Sequence, residues 1–272
     1  WNDRLENGFS YWVKGVLSDY QATITKYAGN DAGFYSQSDG DGKYYVGQKI
    51  GEIWGYHSNG LFQSDDEAAT IDQSELYAGK WGAGDVKYED LDGDGKITKG
   101  EETIYNPGDK SIIGNKTPRY QFGITVGFDY KNFDFEMFWQ GTGKRDYMLS
   151  GAQFWGFTSQ WDVPYTPALD YWTETNTDAY FPRPGWQNGG NRVTSDRYLQ
   201  SAAYGRLKNL TVGYTIPKNL TTKWGISRLR LYVTGENLLT ITPLNDAFDP
   251  ETLGGLTYPI NRKVAIGLNL TL

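Results

Sequence analysis

The sequence predicts an all-β protein, a portion of an antiparallel transmembrane β-barrel with long loops gathered on one side. Three observations carry that expectation. Two neighbouring segments alternate apolar and polar residues with strict period two across a two-residue turn. No run of 18 or more apolar residues exists to form a membrane-crossing helix. The connections between strand-like segments alternate short and long along the chain.

The alternation is clearest over residues 119–140. Tyr120, Phe122, Ile124, Val126, Phe128 and Tyr130 fall on one face, with Gln121, Gly123, Thr125, Gly127 and Asp129 on the other. Lys131-Asn132 is the expected turn. The return arm sets Phe133, Phe135, Met137 and Trp139 against Asp134, Glu136, Phe138 and Gln140. A two-residue turn then pairs Tyr130 with Phe133, Phe128 with Phe135 and Val126 with Met137, apolar to apolar throughout. Each arm suits the roughly 9–11 residues that a tilted barrel strand needs. The hairpin alone fits a soluble sandwich equally well.

The other elements follow in order. Residues 9–17 alternate and read as a strand, and 23–25 continue extended. Residues 29–42 are rich in Gly, Asp and Ser and read as a loop, and 43–53 hold one or two short strands. Residues 54–118 form a long irregular stretch with a short helix opening at Asp65 under a Ser64 cap. Residues 145–157 read as another strand. Residues 158–198 are a second long loop, holding Trp161, Tyr165, Tyr171, Trp172, Tyr180, Phe181 and Trp186. Strands are expected at 209–216, ended by Pro217, at 229–234 and at 264–272, with a third long loop at 242–261. Long and short connections therefore alternate. Outer-membrane barrels do this, with short periplasmic turns and long external loops, whereas a sandwich has no reason to.

Composition bounds the function. The chain has 272 residues, 16% of them aromatic, with no cysteine and a net charge of −7. Mean hydropathy is −0.61. Disulfide and thiol chemistry are excluded, and nucleic acid is a poor partner for this charge. The chain opens at Trp1 in mid-pattern, as a fragment or a processed form would.

One motif carries specific chemistry. Residues 90–101 match the twelve-residue EF-hand calcium loop at every ligand position. Asp90, Asp92 and Asp94 supply carboxylate oxygens, and Gly95 permits the sharp turn. The Lys96 carbonyl and Thr98 follow, and Glu101 closes the site with two oxygens. Glycines precede the loop and Pro107-Gly108 follows it. A structural Ca²⁺ tying down an external loop is therefore expected, rather than a helical calcium sensor. The bland alternative is a solvated acidic turn. The aromatic residues of 158–186 could stack on sugar rings or peptide side chains, or pack the loops together, and they name no substrate residue. His57 is the only histidine, which makes a Ser-His-Asp triad or a multi-histidine zinc site hard to build. Adjacent acids such as Asp65-Asp66 give no glycosidase pair, and no phosphate-binding loop is present. Enzyme function is not expected.

Six segments, in order, resemble one family. They are I-G-E-I-W-G-Y-H-S-N-G-L-F-Q at 50–63, D-L-D-G-D-G-K-I at 90–97, I-I-G-N-K-T-P-R-Y-Q-F-G at 112–123, L-D-Y-W-T-E-T-N at 169–176, Y-L-Q-S-A-A-Y-G-R-L-K-N-L-T-V-G-Y-T-I-P at 198–217 and L-Y-V-T-G-E-N-L-L-T-I-T at 231–242. Together they resemble the SusC/RagA-type TonB-dependent outer-membrane transporters. The resemblance implies that residues 1–272 are the C-terminal part, the last eight or so strands, of a 22-stranded barrel. Import of oligosaccharides or peptides across the outer membrane of Bacteroidetes-type bacteria would be the activity. Implied partners are the rest of the transporter with its plug, TonB acting through that missing part, a SusD-like surface lipoprotein and the lipid bilayer. The rows 120–130 and 264–272 would then face lipid. One departure is Leu272, where such strands commonly end on an aromatic residue. The rival reading is a secreted, soluble, calcium-stabilised carbohydrate-binding β-protein, whose apolar rows would meet across two sheets.

Overall fold

Period two becomes strand where it was expected, and the hairpin register is the one that its turn and pattern require. The computed structural model describes the chain apart from residues 36–43, 79, 186, 254–257 and 259. Trp186 and parts of the 29–42 and 242–261 loops thus lie outside the described residues. Thirteen strands are described: β1 (Asn2–Arg4), β2 (Ser10–Ser18), β3 (Glu52–Tyr56), β4 (Ser58–Leu61), β5 (Val86–Tyr88), β6 (Lys110–Asn115), β7 (Arg119–Tyr130), β8 (Phe133–Lys144), β9 (Asp146–Met148), β10 (Leu199–Ser201), β11 (Tyr204–Thr215), β12 (Arg228–Ile241) and β13 (Lys263–Thr271).

Seven of these form one antiparallel sheet, in the order β1-β2-β7-β8-β11-β12-β13. In the central hairpin, Val126 faces Met137, Phe128 faces Phe135 and Tyr130 faces Phe133, as the sequence implies. Two apolar rows cross the sheet. One runs Tyr11, Phe128, Phe135, Val212, Val233, Ile266. The other runs Val13, Val126, Met137, Leu210, Gly235, Val264. On the opposite face the row Trp12, Gly127, Glu136, Thr211, Thr234, Ala265 is polar or small apart from Trp12.

The opposite face is not simply wet. A Cβ on Gly127 would overlap the Trp12 indole, and one on Gly213 would overlap the Asp134–Arg230 ion pair. Glycines there let a large side chain from the next strand lie flat on the backbone. Thr211 and Thr234 hydrogen-bond across the strands at 2.9 Å.

Nothing among the described residues covers the apolar face. Val264, Ile266 and Leu268 are 70%, 83% and 61% exposed, and the remaining sheets have two strands each. The two facing sheets that the soluble reading requires are therefore absent from the described residues. The buried core lies in the loops instead, built by Tyr56, Tyr88, Phe154, Trp155, Phe181 and Tyr198 with smaller partners.

Several expectations change. Residues 145–157 are not a wall strand. Only β9 is extended, pairing with β10, and a helical turn at Ala152–Trp155 follows Gly151, whose φ is 82°. Leu149, Phe154 and Trp155 all turn into the loop core, which period two cannot do. Of residues 43–53 only Glu52 and Ile53 are strand among the described residues; they open β3, which runs on to Tyr56 in the stretch expected to be irregular and pairs with β6 inside the loops. The wall thus has seven strands, and the connection before β7 runs over residues 19–118, with the 54–118 stretch inside it. β11 and β12 are longer than expected. A register shift between Leu207 and Asn209 moves the alternation of β11 by one residue and hides its far half, while β12 runs on past Asn237, at φ 53°, to Ile241. The short helix does open at Asp65, where the Ser64 side chain accepts from Glu67 N.

The apolar face makes a direct prediction. Ile124→Arg should cost about 2–4 kcal/mol in a bilayer if Ile124 lies near its midplane, and Thr125→Arg, on the other face, far less. Unfolding of the full-length protein from lipid vesicles measures both, and equal costs would reject the assignment of faces.

Candidate functional site: the loop assembly

Three long connections, 19–118, 145–203 and 242–262, leave the sheet at the same end, because each joins neighbouring antiparallel strands. They pack into one body. Of the aromatic residues foreseen in the second loop, Tyr180 and Phe181 pack edge-on to Tyr198 or Phe154, and Tyr171 and Trp172 flank the same core. Trp161, at 84% exposure, and Tyr165 stay outside. Packing, not sugar stacking, uses most of these rings.

A buried carboxylate ties the first loop to the second. Asp85, fully buried, accepts from Arg183 Nε at 3.0 Å and Nη2 at 2.6 Å. Asn188 and Asn191 donate to it at 3.1 and 2.9 Å, and Gly82 N at 2.9 Å. Gln73 adds a second buried clamp, donating to Val86 O and accepting from Tyr88 N. Sequence offers no sign of these pairs, since Asp85 and Arg183 are 98 residues apart.

The acidic loop is folded by its own backbone. Asp90 accepts from Gly93 N at 2.6 Å and Gly95 N at 2.8 Å. Asp92 accepts from Asp94 N, and Asp94 from Lys96 N. Gly93 and Gly95 take φ of 78° and 83°, so glycine is required at both. The structure adds a residue that spacing does not reveal. Asp109, fully buried, accepts from Leu91 N and Thr98 N, both at 2.7 Å, and so clasps the loop. One oxygen from each of Asp90, Asp92 and Asp109 lies within 4.8 Å of the others. Asp94 and Glu101 stand outside that group, and Glu101 N donates to Asn106 O. Burial, with Asp92 and Asp90 beside it, pushes the Asp109 carboxyl up despite its two amide donors. Hydrogen bonds from the Gly95 and Gly93 amides hold Asp90 low. Three hard carboxylates at this spacing suit a divalent cation of the calcium class.

His57 proves better connected than a lone histidine suggests. Its Nδ1 lies 2.7 Å from Asp196 and its Nε2 2.7 Å from Ser111 Oγ. The order Ser-His-Asp is thus built with a single histidine. Asp196 is 39% exposed at its side chain and also accepts from Ser58 N. The arrangement joins β6, the β3–β4 junction and the segment before β10. Below the loops, a cavity of about 630 Å³ opens against the wall between Gln121, Gln140, Thr142, Arg145 and Glu251. Arg206, buried in the wall, holds Asp249 at 2.5 Å, and Lys208 holds Glu251 at 3.1 Å, which straps the third loop across it.

The clamp at Asp85 should decide whether the loops stay packed. Asp85→Ala removes the acceptor that Arg183, Asn188 and Asn191 share, at a cost of about 1–3 kcal/mol, since the Arg183 side chain is 38% exposed and can turn to water. Hydrogen exchange on the full-length protein should show the loops at 82–88 and 183–191 opening while β7 and β8 stay protected. Unchanged exchange in the loops would show that the aromatic core suffices.

A scan of protein-family models finds no match. Individual relatives are clear. The chain is 34% identical over 245 residues to the TonB-dependent receptor P3 of Formosa agariphila, covering 82% of this chain and 22% of that protein. It is 26% identical over 190 residues to the TonB-dependent receptor SusC of Bacteroides thetaiotaomicron, covering 67% of this chain and 17% of that one. The chain therefore spans about a fifth of the length of these relatives. In structure it is similar to the RagAB peptide importer in its open-open state, at TM-score 0.70 and 17% identity, over 100% of this chain and 27% of that one. The RagAB peptide transporter matches at TM-score 0.66 and 16% identity, over 99% and 28%. With the open apolar face and the loops gathered at one end, these likenesses place the chain among the SusC/RagA-type TonB-dependent transporters.

Proposed function

We propose that this chain is part of the wall and outer loops of a nutrient importer in a bacterial outer membrane. The observation that carries this is the inverted burial. The sheet leaves its apolar rows open while the loops hold the core, which suits a wall in lipid and a receptor surface in water. The alternation of connection lengths supports a reading with the turn at Lys131-Asn132 on the periplasmic side and the loop body outside. The cargo is an oligosaccharide or a peptide, and the drive comes through TonB by way of parts of the transporter beyond this chain. A SusD-like lipoprotein would cover the loop body. Deleting the full-length transporter should abolish TonB-dependent uptake of its cargo, and the protein should fractionate with outer membranes. Recovery in the soluble fraction would overturn the reading.

The loop at 90–101 would hold Ca²⁺ in a structural role. Asp90, Asp92 and Asp109 supply the first carboxylates, with Asp94, the Lys96 carbonyl and Thr98 as further donors. Asp109 then takes the closing position that the sequence pattern gives to Glu101. When bound, the cation neutralises the acids that crowd Asp109. Calcium should protect residues 90–109 of the full-length protein from proteolysis, with half-protection needing at least tenfold more calcium in Asp90→Ala and Asp109→Asn. Glu101→Gln should leave it near the original value. Loss in Glu101→Gln alone would restore the twelve-residue pattern, and protection unchanged by EGTA would remove the ion.

A further inference from the structure

A second cavity, of about 350 Å³, lies within the loop body between the first loop and residues 193–194. Its volume is at the lower end of ligand clefts, roughly 300–1,000 Å³. One wall is aromatic. Tyr35 stacks on Trp54 with centroids 4.1 Å apart, and Tyr56 stands beside them. Leu76 and Val193 complete an apolar floor.

The charges on its rim are of two kinds. Lys110 is already committed. Its ammonium pairs with Glu102 at 2.9 Å and lies 5.8 Å and 5.5 Å from the Tyr35 and Tyr56 ring centres. Its side chain is only 17% exposed, so this pair is a fixed part of the wall. Glu75 and Lys99 also line the cavity, and both are exposed. No ion pair among the described residues engages either one. The cavity thus offers one carboxylate and one ammonium outside any ion pair among the described residues, beside an aromatic wall and an apolar floor.

We infer that this cavity binds a short peptide with free termini, whose ammonium meets Glu75, whose carboxylate meets Lys99, and whose side chains rest on Tyr56, Trp54 and Leu76. A neutral oligosaccharide would use the ring faces and leave both charges unanswered. A peptide uses all three features, because charged ends flanking an apolar body are what its backbone supplies. The inference rests on the import reading and narrows its cargo at one site.

The test uses the full-length transporter, purified in detergent, with three probes: the tripeptide Ala-Leu-Ala, its N-acetylated and C-amidated forms, and maltotriose. Calorimetry should show binding of the free tripeptide, weakened at least tenfold by either cap. Glu75→Gln should weaken the free peptide but leave the N-acetylated form unchanged, and Lys99→Gln should do the same for the C-amidated form. Both residues are exposed and outside the core, so the variants should fold. Equal binding of capped and free peptides, or maltotriose binding that alone responds to these variants, would overturn the inference. Peptide uptake that persists in the double variant would refute this site and leave the importer standing, whereas a protein that imports nothing would fail the earlier reading instead.

Discussion

The wall depends on one constraint: every backbone donor and acceptor in a sheet with an open apolar face must be satisfied within the sheet. In hydrocarbon no water can complete a missing hydrogen bond. That explains why β7, β8 and β11 run 12 residues each and β12 runs 14, well beyond an ordinary strand. It also explains why side chains on the second face are arranged around the backbone. Trp12 lies across Gly127 and the Asp134–Arg230 pair across Gly213, so bulk is taken up without parting the strands.

Because the sheet buries no apolar face against another layer, it cannot supply the hydrophobic stabilisation that a soluble domain draws from its core. The loops build their own. Phe154, Trp155, Phe181 and Tyr198 meet mostly edge-to-face, a geometry that adds to the burial of their area. A hydrophobic cluster alone would be indifferent to register. The fully satisfied Asp85 is not, since its donors come from fixed positions on two loops. Specific polar pairing inside the aromatic cluster is what gives long irregular chain a single arrangement.

What could be read from the sequence follows from the range of each interaction. The hairpin register was legible because its alternation is local and its turn short. The acidic loop was legible because its ligand pattern is contiguous. The far half of β11 was hidden by one bulge, which puts Leu207 out of phase with Leu210 although Leu207 faces Leu239 across the ladder. The strand expected at 145–157 failed because apolar residues there answer to a core assembled from distant loops. Asp109 lay just past the end of the pattern, and nothing in its neighbours marks it as the clasp on Leu91 and Thr98. The contacts of His57 lie 54 and 139 residues away, beyond any motif.

Asp109 also links the acidic loop to the aromatic cavity. Thr98 and Asp109 are joined through the clasp, and the residues that follow them in the chain, Lys99 and Lys110, line the cavity together with Glu102. The Tyr35 hydroxyl is pushed up to about 12, by burial first and then by Glu102. Burial also pushes Tyr56 up, with Glu75, Tyr35, Asp109 and Glu102 adding negative field. The acidic loop is thus electrostatically visible from the cavity. A cation neutralising Asp109 would lessen that field and fix the backbone carrying two of the cavity's charged walls, so loop order and pocket charge change together. Under the cation and peptide readings proposed above, the short segment from Thr98 to Lys110 would couple the acidic loop to the cavity through this clasp.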